Sequence, residues 1–228
     1  MIQEQTLQDR LVNFMYGVYG LMSGALALTA VTAYFISTIP HIQVTLFGSP
    51  LLMALIFIGQ FALVIALTAM LQRLTLPMAL TMFFVFATSL GVTLSVFFLV
   101  YTKASIVQTF VVTSGTFGVM TIYGYVTGAD LTKLGNVLMM AVWGLIIALL
   151  VNLFLRNPMF DLVISGAGVL IFTLLTAYDT QKIKLMGEHM LGDQEMIGKV
   201  AVLGALTLYL DFVNLFLFLL RFMGRRRD

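Results

Sequence analysis

Two carboxylates occupy positions where a carboxylate is expensive. Asp179 lies in IFTLLTAYDTQKIK and Asp211 in LGALTLYLDFVNLFLFLLRF, both inside apolar runs long enough to cross a bilayer. An acid at that depth costs at least roughly 2.5 kcal/mol, so it ordinarily faces a partner or a cavity and marks function. Two such acids brought within hydrogen-bonding distance cannot both ionise cheaply. They would share one proton and titrate as a unit. Protonated, the pair ties two helices together; doubly ionised, it repels or accepts a cation. Calcium is a fitting cation, because it prefers carboxylates supplemented by carbonyls, hydroxyls and water.

Whether the acids meet depends on the elements that carry them. Positions 179 and 211 are equidistant from 195, beside the polar stretch Gly192-Asp193-Gln194-Glu195. In an antiparallel hairpin, with ~1.5 Å of rise per residue, equidistant positions lie at equal depth. Rotation is read from stripes. Gly204, Thr207, Asp211 and Asn214 share one helical face, and Ser165, Gly168, Phe172, Thr176 and Asp179 share another. In lipid, small and polar residues mark the side that a neighbouring helix covers. The two faces therefore point at each other, with Tyr178, Thr176, Thr207 and Asn214 as supporting or pathway-lining groups.

The rest of the chain fits a polytopic membrane protein. It is 61% hydrophobic and 10% charged, where a soluble domain carries about a quarter charged residues. Seven apolar segments are expected to be helices near 15–38, 50–71, 77–101, 105–126, 134–155, 159–182 and 199–222. Open sheets are disfavoured because lipid leaves their backbone unsatisfied. Residues 1–14 read as a polar tail, 15–222 as one all-α transmembrane domain and 223–228 as a basic tail. Pro40, Gly48-Ser49-Pro50, Pro77, Gly128-Ala129-Asp130 and Asn157-Pro158 punctuate the spans. The basic residues divide evenly between the two sides, so charge alone does not orient the chain.

Blander readings stand beside the functional one. Asp179 could pair with Lys182 one turn on, and Asp211 could make one structural hydrogen bond. Gln60, Asn152, Tyr19 and Ser23 read first as interhelical glue. Trp143 reads as packing, Arg73 and Arg156 as snorkelling to the interface, and Lys199 as lying at the mouth of span seven. His41 and His189, in different loops, do not make a zinc site. No mid-span lysine is available for a retinal Schiff base, and cysteine is absent. No surface suits nucleic acid. An intramembrane aspartyl protease would explain Tyr178-Asp179. It would also need Gly-x-Gly before the second acid, where Leu208-Tyr209-Leu210 stands, and a late proline, yet none follows Pro158.

The residues around the acids resemble the Bax inhibitor-1 (TMBIM) family. Ala177-Tyr178-Asp179-Thr180-Gln181 resembles its span-six signature, and Leu210-Asp211-Phe212-Val213-Asn214-Leu215-Phe216 with Leu220-Arg221 its last helix. Supporting matches include Val18-Tyr19-Gly20-Leu21-Met22, Gly124-Tyr125-Val126-Thr127 and Asn152-Leu153-Phe154. The resemblance runs in order over roughly 17–222. It implies seven helices with the last one central, wrapped by two three-helix layers. It also implies a non-enzymatic, pH-sensitive calcium leak governed by an aspartate pair that maps onto Asp179 and Asp211. The same two acids would be the transient Ca2+ ligands, with Ca2+ as transported ion and no cofactor. Eukaryotic relatives suppress cell death, and bacterial relatives are linked to membrane-protease control. The short tail and simple loops resemble a bacterial member of the inner membrane. A different class of function is a membrane interaction protein that regulates a protease or stress response, its buried acids being structural.

Overall fold

The computed structural model describes residues 2–190 and 193–227, with every side chain in them except those of residues 2–6 and Gln194. The described chain is helical nearly throughout. In order come α1 (Ile2–Ser37), α2 (Pro40–Gly48), α3 (Pro50–Ala69), a single 3-10 turn (Leu71–Arg73), α4 (Leu76–Leu94), α5 (Phe97–Val100), α6 (Lys103–Val126), α7 (Thr132–Leu155), α8 (Pro158–Met190) and α9 (Gln194–Met223). Seven stretches are long and apolar enough to span a bilayer, one for each expected segment.

Local chemistry starts and stops these helices. Proline occupies the first turn of α2, α3 and α4, where its missing N–H costs nothing. The Ser49 hydroxyl accepts from the Leu52 N–H at 3.3 Å, and Thr102 accepts from Ser105 at 3.2 Å. Asn157 Oδ1 accepts from the Met159 N–H at 2.9 Å at the head of α8, and Asp193 Oδ1 from Met196 at 3.0 Å at the head of α9. Each cap satisfies a donor that the first turn would otherwise leave open.

Several elements extend beyond the sequence expectation. The polar start is helical, so α1 runs from Ile2 straight into the first span. The first loop is largely the short helix α2, which carries His41, and His189 lies in the last turn of α8. The sixth helix continues past 182 through its polar residues to Met190. α8 ends at Met190 and α9 begins at Gln194, so 195 lies inside α9 and the two aspartates are not equidistant from the break between the helices. Gly192, expected at the turn, lies outside the described residues.

The chain forms two compact units. The first comprises residues 1–100, 186–209 and Arg227. Here α1 packs along α4 and α4 against α3. The Tyr209 hydroxyl lies 2.6 Å from the Thr29 hydroxyl, which also donates to the Ala87 carbonyl at 2.9 Å. Phe83 and Phe86 meet the Tyr209 ring edge-on. Gln60 donates to Thr93 at 3.4 Å, the interhelical glue expected of it. Lys199 lies near the start of the seventh span, as expected, and there it is 6% exposed and ion-paired at 2.8 Å to the exposed Glu195. Its charge reaches an acid one turn back.

The second unit comprises residues 101–185, 210–226 and Asp228. Glycine lets two backbones approach at Gly124, where a Cβ would collide with the Ala177 carbonyl of α8. At Gly168 it lets α8 receive the ring of Phe218 from α9. That ring also stacks on Phe172, centroids 5.7 Å apart. Phe212 packs edge-on against Phe117 of α6. Trp143 of α7 is 66% exposed, so it does not pack in the protein as expected; it faces the lipid side of an apolar span.

Candidate functional site

The site is built on α8 and α9 within the second unit. The α8 stripe named from sequence is the buried face of that helix: Ser165, Gly168, Phe172, Thr176 and Asp179 are all buried. On α9, Asp211 is buried, and Leu215, Phe218 and Leu220 around it are buried too. The apolar residues of α9 thus do not form a lipid-facing back. Of its apolar window 67% is buried, against 33% or less for the other six spans.

The carboxyls of Asp179 and Asp211 lie close enough for a hydrogen bond to form between them. Symmetry about the turn does not produce this contact, since the turn is displaced; the packing of Gly168 and Phe172 on Phe218 brings the two helices together. A carboxyl can donate only when protonated, so the bond needs a proton on one partner. Asp211 Oδ2 is buried and has no hydrogen-bond partner among the described residues. The Lys182 ammonium acts electrostatically on both acids, yet no ion pair joins it to either within 4.0 Å among the described residues. Lys182 instead sits over the Tyr178 ring, 5.8 Å from its centroid. The blander pairing of Asp179 with Lys182 is therefore not the contact formed.

The supporting residues are committed elsewhere. Thr176 donates to the Phe172 carbonyl at 2.8 Å and Thr207 to Leu203 at 3.1 Å, each within its own helix. The Tyr178 ring fills the space left by Gly135 of α7. Asn214 is half-buried on α9. One neighbour escaped the sequence reading. Thr180 is fully buried, next to Asp179, and its hydroxyl has no hydrogen-bond partner among the described residues. The signal was present, since Thr180 stands one turn beyond Thr176. Gln181 anchors the segment by accepting from the Leu131 N–H at 3.0 Å and donating to the Ala129 carbonyl at 2.8 Å.

Seven apolar helices with an acid pair buried between the last two define a multi-pass membrane protein whose acids do not face water. The family model described as "Inhibitor of apoptosis-promoting Bax1" matches residues 11–228. The chain belongs to this family, the Bax inhibitor-1 family. A Borreliella burgdorferi protein is 47% identical over 98% of this chain and 97% of its own length. The inner membrane protein YbhL of Escherichia coli K12 is 45% identical over 95% of this chain and 93% of its own. YrjE of Lactococcus lactis is 32% identical over 95% and 92%.

Proposed function

We propose that this protein is a pH-sensitive calcium leak of a bacterial inner membrane, gated by the protonation of Asp179 and Asp211. The observation that carries this reading is the carboxyl–carboxyl contact between α8 and α9. With one proton the pair is a tie between helices. Without it, two like charges about 4 Å apart repel by about 4 kcal/mol at an effective dielectric of ~20. An interhelical hydrogen bond contributes only about 0.6 kcal/mol on average. Electrostatics therefore decides whether the two helices stay together.

Asp211 Oδ2, buried and without a hydrogen-bond partner among the described residues, is the oxygen a passing cation would meet. Among the described residues no third acid or histidine joins the pair. Two carboxylates alone make a weak, transient seat for calcium rather than a cage, as a leak requires. Inner-membrane placement follows the printed name of the YbhL relative.

Calcium flux into liposomes holding the purified protein, read across a pH series, tests the reading. Asp179→Asn and Asp211→Asn should each flatten the pH response, because an amide does not titrate. A full pH response in both variants would overturn the gate. Flux absent from the wild-type protein at every pH would favour the membrane interaction protein, with structural acids.

A further inference from the structure

We propose that the pocket where α7 ends, α8 begins and α9 ends binds the phosphodiester headgroup of an anionic phospholipid. The pocket lies within the second unit and has a volume of about 410 Å³. Arg156, Arg221 and Arg226 line it with Asn152, Asn157 and Asp161. Three guanidiniums thus face one carboxylate. None of the three is ion-paired among the described residues, and Asp161 takes a long hydrogen bond of 3.5 Å from Asn152 Nδ2. The excess positive charge calls for an anion, and guanidinium forks match phosphate oxygens.

Two features fix the backbone of Arg156 and Arg226. Arg156 ends α7 in the left-handed region, at φ 49 and ψ 36. It is the one non-glycine residue with positive φ among the described residues. Glycine is the ordinary occupant of such a cap. An arginine there sets its side chain at the pocket against the preference of its own backbone. Arg226 is fixed by a backbone bridge to Tyr101, and the neighbouring Arg225 N–H donates to the Ser105 hydroxyl at 2.8 Å.

The surroundings select a lipid over a free anion. Three apolar spans terminate here, at headgroup depth. Phe154 is 84% exposed, and Leu155, Met159 and Phe222 beside the pocket are exposed as well. Acyl chains gain from such a collar, and an inorganic anion does not.

Full-length protein in non-ionic detergent is titrated with phosphatidylglycerol, phosphatidylcholine and inorganic phosphate, and read by native mass spectrometry and thermal unfolding. Phosphatidylglycerol should be retained saturably and raise the unfolding temperature; phosphatidylcholine and phosphate should do neither. Arg156→Gln, Arg221→Gln and Arg226→Gln should each weaken phosphatidylglycerol binding about fivefold. Asp161→Asn should tighten it. Arg156→Gly relaxes the left-handed cap, so it should keep the unfolding temperature in phosphatidylcholine while losing lipid affinity. This keeps the test decisive if one of the glutamine variants fails to fold. Unchanged phosphatidylglycerol affinity in the single variants would overturn the site, and an equal shift from inorganic phosphate would make it a free-anion site.

Discussion

A hydrogen bond between two carboxyls reverses its effect on the loss of one proton. At Asp179 and Asp211 that reversal falls between two candidate membrane helices. Asp130 offers the contrast. It lies exposed before α7, where hydrogen bonds from the Thr132 side chain and backbone, with the Lys133 charge, hold it below its ordinary value of 3.8. A depressed acid stabilises above its unfolded value and loses that contribution as pH falls through its folded one. Asp130 therefore stays ionised from about pH 5 to 8. Asp130→Asn should leave the pH profile of flux in that window unchanged, while hydrogen exchange at the Thr132 amide quickens in the variant. A profile shifted by this substitution would move the sensor away from the buried pair.

At the scale of elements, the setting of the acid pair depends on how closely α6 approaches α8. Gly124 permits that approach: the three atoms nearest an added Cβ all belong to the Ala177 backbone, and Ala177 stands two residues before Asp179. A methyl at 124 meets main chain rather than a side chain that can rotate away. Gly124→Ala should cost about 1–3 kcal/mol, the range for an overpacked contact. Unfolding in detergent measures the loss. Gly59→Ala in α3, where a Cβ meets nothing within 4 Å, should show no such loss and serves as the control.

At the scale of the molecule, the outer surface is the apolar part, and the tightest burial belongs to α9. Trp143 reports on that surface, because it is the single tryptophan of the chain and is exposed on α7. In bilayers of brominated lipid its emission should be strongly quenched, and Trp143→Leu should change stability by less than about 0.5 kcal/mol. Weak quenching would place the indole inside the protein.

The seven spans were legible because length and hydropathy are summed along the chain and need no partner. The buried face of α8 was legible for the same reason, since Ser165, Gly168, Phe172, Thr176 and Asp179 repeat at helical spacing. Trp143 was misjudged because in a bilayer a large aromatic is as comfortable outside the protein as within it. Thr180 was overlooked because a hydroxyl normally returns to its own helix, and only the fold shows that this one does not. The α8 stripe marked the side of Asp179 that is covered, but the α9 stripe did not mark that helix's buried side, since Thr207 and Asn214 are half-buried while Leu208 and Leu215 are fully buried. Apolar runs and local periodicity determined the seven candidate spans and the buried face of α8. Tertiary packing alone decided that two particular carboxyls touch and that three arginines from separate segments line one pocket, because those contacts join residues far apart in the chain.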